Sequence, residues 1–153
     1  MTDSTAVPVL ATLPGRLELS APASPEILDL VHAMLEHLWI TCPGVSDRDR
    51  ARFEMSVIEI LGNVVEHAYA ADSPDRAGRR FVIVLGATDE LLMAHLGDNG
   101  LPASLDLSGV IMPDDLAESG RGLALATAAL DDLSYTRVEG RNLWNLLCLR
   151  SQG

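Results

Sequence analysis

Lysine is absent from this chain: all eleven of its basic residues are arginine. Walker-type nucleotide sites and the common protein-kinase fold set a lysine against the phosphates, and Schiff-base chemistry needs a lysine amine. Those three mechanisms are excluded. Arginine-only usage fits a G+C-rich coding sequence, and the exclusion holds whatever its origin. Aromatic residues make up only 4%, so the core has to be built from Leu, Val, Ile and Ala. The two cysteines, Cys42 and Cys148, are far apart and form no CxxC pair, which argues against a disulfide framework or a zinc site. The histidines lack ligand spacing; His32 and His37, five residues apart, do not share a helix face. No apolar run approaches the ~18 residues of a membrane span, and residues 6–13 are too short and lack the basic flank of a signal peptide. The chain therefore reads as cytoplasmic. Basic charge is itself scarce: 11 basic against 22 acidic residues give a net charge of -11. Such a surface repels phosphate backbones and anionic lipid, so neither direct nucleic-acid binding nor membrane binding is expected. A protein partner of basic or mixed charge fits better.

What is present is enough for one domain: 153 residues, 48% of them hydrophobic, a composition able to bury a core. Residues 1–15 read as a loose arm and 16–150 as the domain. Residues 16–21 alternate as a half-buried strand. Ser24-Pro25-Glu26 offers an N-cap and first turn for a helix whose apolar face is Leu28, Val31, Leu35 and Leu38. A second, longer helix starts at 46–49 and runs to about Ala70. Strands are expected at 81–86 and 91–96, joined through Thr88-Asp89-Glu90, then a long loop over 97–120, a helix over 122–130, and strands at 133–138 and 143–149. Strands entering in adjacent pairs predict an α+β two-layer sandwich, its mixed, mostly antiparallel sheet carrying the helices on one face.

Three segments concentrate polar chemistry. On the second helix, with Glu59 set at zero, Glu66, Asn63, Ser56 and His67 fall at about -20°, 40°, 60° and 80° at a pitch of about 100° per residue. The strongly polar residues of 56–69 thus share one arc of an otherwise apolar helix. Either that arc is the solvated face, or it holds partners that buried polar groups require. Next, Gly97-Asp-Asn-Gly-Leu-Pro102 follows a hydrophobic strand; it reads as a plain turn, or as an acceptor beside a backbone open to close ligand approach. Last, Glu118-Ser-Gly-Arg-Gly-Leu123 opens an apolar helix, where free N–H groups suit phosphate and where the glycines equally suit a hinge.

Together, in this order and spacing, Glu59-x-x-x-Asn63, Asp98-x-Gly100-x-Pro102 and Gly120-x-Gly122 resemble the N, G1 and G2 boxes of the ATPase superfamily of gyrase B, Hsp90, histidine kinases and the mismatch-repair MutL proteins. Residues 57–69 and 116–123 are similar to the anti-sigma-factor serine-protein kinases of bacterial stress and sporulation switches. The resemblance extends over about residues 16–150 and implies a Bergerat-type ATP-binding fold.

It also implies roles, residue by residue. Glu59 is the general base for an attacking serine hydroxyl. Asn63 holds Mg²⁺ against the phosphates of ATP. Asp98 accepts from the adenine amine, Gly100 admits the ring, and Gly120, Arg121 and Gly122 bring a lid and helix N-terminus to the phosphates. His67, Pro102 and Leu123 complete the implied nucleotide-binding set. Arg121 also has an ordinary reading as a solvated first-turn residue. The family's Gly-Thr before the last strand is replaced by Gly140-Arg141-Asn142, with Asn142 the substitute hydrogen-bonding group near adenine. The lid between Pro102 and Gly120 is short, and its Val110-Ile-Met112 patch is a docking candidate. The implied function is a homodimeric anti-sigma factor that binds a sigma factor and phosphorylates a small anti-anti-sigma (STAS-type) protein. The alternative is a nucleotide-dependent partner switch without kinase activity. A split histidine kinase fits less well, since no phosphoacceptor-like helical hairpin precedes the domain.

Overall fold

A computed structural model of the chain describes residues 10–68, 78–100 and 118–151, with the backbone alone described at 67, 68 and 118–121. After a turn of 3-10 helix (Leu10–Thr12), the elements are β1 (Leu17–Pro22), α1 (Ile27–Thr41), α2 (Asp47–Ala68), β2 (Arg80–Ala87), β3 (Leu91–Asp98), α3 (Glu118–Ala129), β4 (Asp132–Val138) and β5 (Arg141–Leu149). The five strands form one sheet in the order β1-β2-β3-β5-β4. Strand alternation places Leu19, Ile83, Leu85, Leu92, Leu96, Trp144 and Leu146 on one face, where they form a single core with residues of all three helices. This is the expected α+β, two-layer arrangement. One detail differs: the sheet is antiparallel at every pairing rather than mixed. β3 and β4, the strands linked through α3, run in the same direction, but β5 inserts between them and no parallel ladder forms.

Helix α1 buries Ile27, Val31, Leu35, Leu38 and Trp39, the 3–4 spacing of one helical stripe; Leu28 is only partly buried. Its start lies later than the Ser24 cap would set it. The carbonyls of Ser24 and Pro25 accept from Ile27 and Leu28 in tight turns, and the cap position falls to Glu26 without a side-chain cap. Trp39 ties α1 to α2: its indole N–H donates to Glu54 Oε1 at 2.5 Å, and its ring meets Phe53 edge-on at 6.1 Å. Helix α2 begins as expected, with Ser46 Oγ accepting the Asp49 N–H at 3.1 Å, an N-cap bond.

Two turns set the registers that matter for the site. Between β2 and β3, Thr88 Oγ1 accepts from the N–H groups of Glu90 and Leu91 at 3.2 and 3.0 Å. Between β4 and β5, Glu139 and Gly140 both have positive φ, 51° and 79°, as a two-residue type I′ hairpin requires. That hairpin starts β5 at Arg141, two residues before the apolar run, and pairs Arg137 with Asn142. β3 likewise runs two residues past Leu96, so Asp98 stays in the ladder opposite Asn142.

Candidate functional site

The polar ends of β3, β5 and β4 converge on the helix-facing side of the sheet. Register alone lines up Asp98, Asn142 and Arg137 across three adjacent strands. Asp98 is 5% exposed and Asn142 3% exposed, a degree of burial that polar groups tolerate only with hydrogen bonds. They have them. Asp98 Oδ1 accepts from the Gly100 N–H at 2.8 Å and from Asn142 Nδ2 at 2.9 Å. Asn142 Oδ1 in turn accepts from the Tyr135 hydroxyl at 2.5 Å and from Arg137 at 2.9 Å. Arg137 also donates to the Gly100 carbonyl at 3.0 Å. The Asp98-x-Gly100 turn and the Gly140-Arg141-Asn142 stretch, 40 positions apart in the chain, are therefore one constellation.

The second constellation lies where α2 meets α3. Burial along the polar arc of α2 changes with angle as the wheel orders it: Glu66 is exposed, Glu59 and Asn63 are half-buried, and Ser56 is fully buried. Ser56 is satisfied within the helix, its hydroxyl donating to the Arg52 carbonyl at 2.8 Å. Glu59 faces α3. A Cβ on Gly122 would fall 2.7 Å from the Glu59 carboxyl carbon and closer still to Oε2, so only glycine leaves the carboxylate in place. Two turns before Glu59, Arg52 donates to the carbonyl of Ala129, two turns after Gly122, at 2.9 Å. Positions 52 with 129 and 59 with 122 make the two helices antiparallel. The same offset puts Asn63 level with Glu118, the first described residue of α3. Arg52 fixes this register firmly: it also donates to Asp131 Oδ2, the Leu149 carbonyl and Asp49 Oδ1.

Helix α3 is described from Glu118, so the chain is already helical four residues before the expected start at Gly122. Gly120, Arg121 and Gly122 therefore lie within the helix rather than ahead of it. Leu123 is 2% exposed and belongs to the apolar core, so its side chain serves packing. His67 lies in α2 and Gly120 and Arg121 in α3. Pro102, the rest of the short lid and the Val110-Ile-Met112 patch are outside the described residues. Three residues escape a reading of the sequence: Arg52, Tyr135 and Arg137. Recognition of the Glu139-Gly140 turn would have placed Arg137 opposite Asn142; Arg52 carries no local signal.

The donor types suit a nucleotide with its metal. Asp98 presents a buried acceptor whose Oδ2 takes no hydrogen bond from a described residue. Asn63, half-buried on the same arc of α2 as Glu59, offers the neutral oxygen that a hard cation accepts.

Comparison with known proteins gives the family and the fold. Residues 21–147 match the model of the histidine kinase-like ATPase domain. Serine-protein kinase RsbW of Bacillus mycoides is 26% identical over 139 residues, 82% of this chain and 79% of that one. Serine/threonine-protein kinase BtrW of Bordetella bronchiseptica is 30% identical over 123 residues, 74% of this chain and 80% of that one. Among solved structures, the RsbU and RsbW domains of Rv1364c from Mycobacterium tuberculosis superpose with a TM-score of 0.63 at 19% identity, over 92% of this chain and 34% of that one. The likeness to that structure is one of fold, and the chain spans about a third of its length. No helix among the described residues is long and apolar enough to cross a membrane. The chain belongs to the histidine kinase-like ATPase family, in the branch of the serine-protein kinases RsbW and BtrW.

Proposed function

We propose that this protein is a cytoplasmic anti-sigma regulator with ATP-dependent serine-protein kinase activity, working as a homodimer. It binds a sigma factor and phosphorylates a serine on a small STAS-type antagonist. The unmodified antagonist would release the sigma factor; phosphorylation would reset the switch. Direct contact with nucleic acid or membrane has no part in it, in keeping with the net charge of -11.

The observation that carries the reading is the placement of the Glu59 carboxylate against Gly122 of α3, the glycine that the resemblance sets beside the phosphates. A general base must lie within reach of the proton that it takes. In the proposed step the serine Oγ attacks the γ-phosphorus, the bond to the β–γ bridging oxygen breaks, ADP leaves, and the hydroxyl proton passes to Glu59. Mg²⁺, when bound through Asn63, would neutralise phosphate charge of the kind that lysine meets in other kinases. Asp98 would receive the adenine amine, and Asn142 would stand for the threonine usual in the family.

The test is incubation of the purified protein with labelled ATP, Mg²⁺ and the antagonist encoded beside it. Label on an antagonist serine, lost in Glu59→Gln, is expected. Nucleotide binding without any labelled serine would instead establish the alternative, a nucleotide-dependent partner switch without kinase activity.

A further inference from the structure

The base end of the site contains a closed ring of hydrogen bonds. Arg137 donates to the Gly100 carbonyl and to Asn142 Oδ1; the Gly100 N–H and Asn142 Nδ2 both donate to Asp98 Oδ1. Donor chemistry settles which way the Asn142 amide points. Arginine is donor-only and a carboxylate is acceptor-only, so the amide oxygen faces Arg137 and its nitrogen faces Asp98. The Tyr135 hydroxyl, on the oxygen side at 2.5 Å, holds the same orientation, and its ring packs against buried Trp144 at 4.6 Å, tilted by 47°. Two donors thereby occupy Asp98 Oδ1, and Oδ2 is the oxygen that remains for a ligand.

We infer that Arg137 and Tyr135 are positioning residues for base selection: through Asn142 they fix Asp98 so that Oδ2 presents an acceptor to a 6-amino purine and repels a 6-oxo purine. The inference rests on the nucleotide reading of the site. Neither Arg137 nor Tyr135 touches the base; they act by anchoring the amide oxygen of Asn142. When that anchor is weakened, the Asn142–Asp98 pair can shift as a unit and carry Oδ2 off its aim. A site that discriminates by hydrogen bonds loses discrimination when its polar groups can rearrange.

The experiment is calorimetric titration of the full chain with ATP and with ITP, the 6-oxo analogue, in the presence of Mg²⁺. Wild type, Arg137→Met and Tyr135→Phe are compared, with thermal unfolding of each. Arg137 is exposed, and Tyr135→Phe keeps the ring packed against Trp144, so both variants should unfold close to the wild-type temperature. Wild type is expected to prefer ATP, and Arg137→Met to lose about tenfold of that preference, the size of one charge-assisted hydrogen bond. Tyr135→Phe should lose less. Retention of the full wild-type preference in both variants would overturn the inference and leave the nucleotide reading standing. Failure of wild type to bind either nucleotide would remove that reading itself.

Discussion

Glu59 and Gly122 share one space. The carboxylate of Glu59 fills the position that a side chain on Gly122 would need. Alanine is the better helix former by about 1 kcal/mol, and the group in its way is the far end of a flexible side chain. Gly122→Ala should therefore fold with a Tm equal to or above that of wild type while displacing the Glu59 carboxylate. Phosphotransfer to the antagonist is expected to fall at least tenfold. A variant that is as active as wild type would show that the carboxylate position does not matter.

Glu59→Gln separates binding from transfer. The amide keeps the size of the side chain and removes the base, so ATP affinity should stay near the wild-type value. The rate of serine labelling should fall by about 10²–10⁴, the usual contribution of general-base assistance. Equal losses in affinity and rate would assign Glu59 to nucleotide binding instead.

Much of this site was legible because its residues belong to short, spaced motifs. The helical wheel alone set Glu59 and Asn63 on one arc of α2, and burial then divided that arc between solvent, site and core. The two-layer class followed from the order of strands and helices. Other features depended on pairings with no local signature. Asn142 stood out as a departure from the family's pattern, but its bond to Asp98 depends on a hairpin whose first turn residue is Glu139, a residue type uncommon at positive φ. β3 read as ending at Leu96 because Gly97, Asp98 and Asn99 are turn-forming types; cross-strand partners on β5 hold the first two in the ladder. Arg52 carries no local signal, and only the return of β5 and the end of α3 supply the carbonyls that it binds.

The two cysteines should differ sharply in reactivity. Cys148 is fully buried, and burial, despite the nearby Arg52 guanidinium, pushes its thiol up to about 11. The thiolate is the reactive species, so at pH 8 Cys148 should resist iodoacetamide in the native protein. Cys42, partly exposed at the end of α1, should be modified. Mass spectrometry before and after denaturation reads the sites directly. Native labelling of Cys148 at the rate of Cys42 would show that β5 opens freely.

Asp49 should make the fold sensitive to acid. It is 1% exposed; its carboxylate accepts from the Ser151 N–H at 2.6 Å, the Ser151 hydroxyl at 2.9 Å and Arg52 at 3.1 Å. Burial alone would raise its pKa, but the bonds from Ser151, Arg52 and Ser46 outweigh burial and hold the carboxyl below its ordinary value. An unfolded Asp titrates at about 3.9. With the folded value lower, the stabilisation is complete above that pH and is lost as pH falls through the folded value. Asp49→Asn should cost about 1–3 kcal/mol at pH 7, since buried donors lose a charged acceptor. The gap in urea midpoint between wild type and variant should stay constant from pH 8 to 5 and narrow below about pH 4. A gap that persists undiminished at pH 2.5 would mean that Asp49 contributes through packing rather than charge.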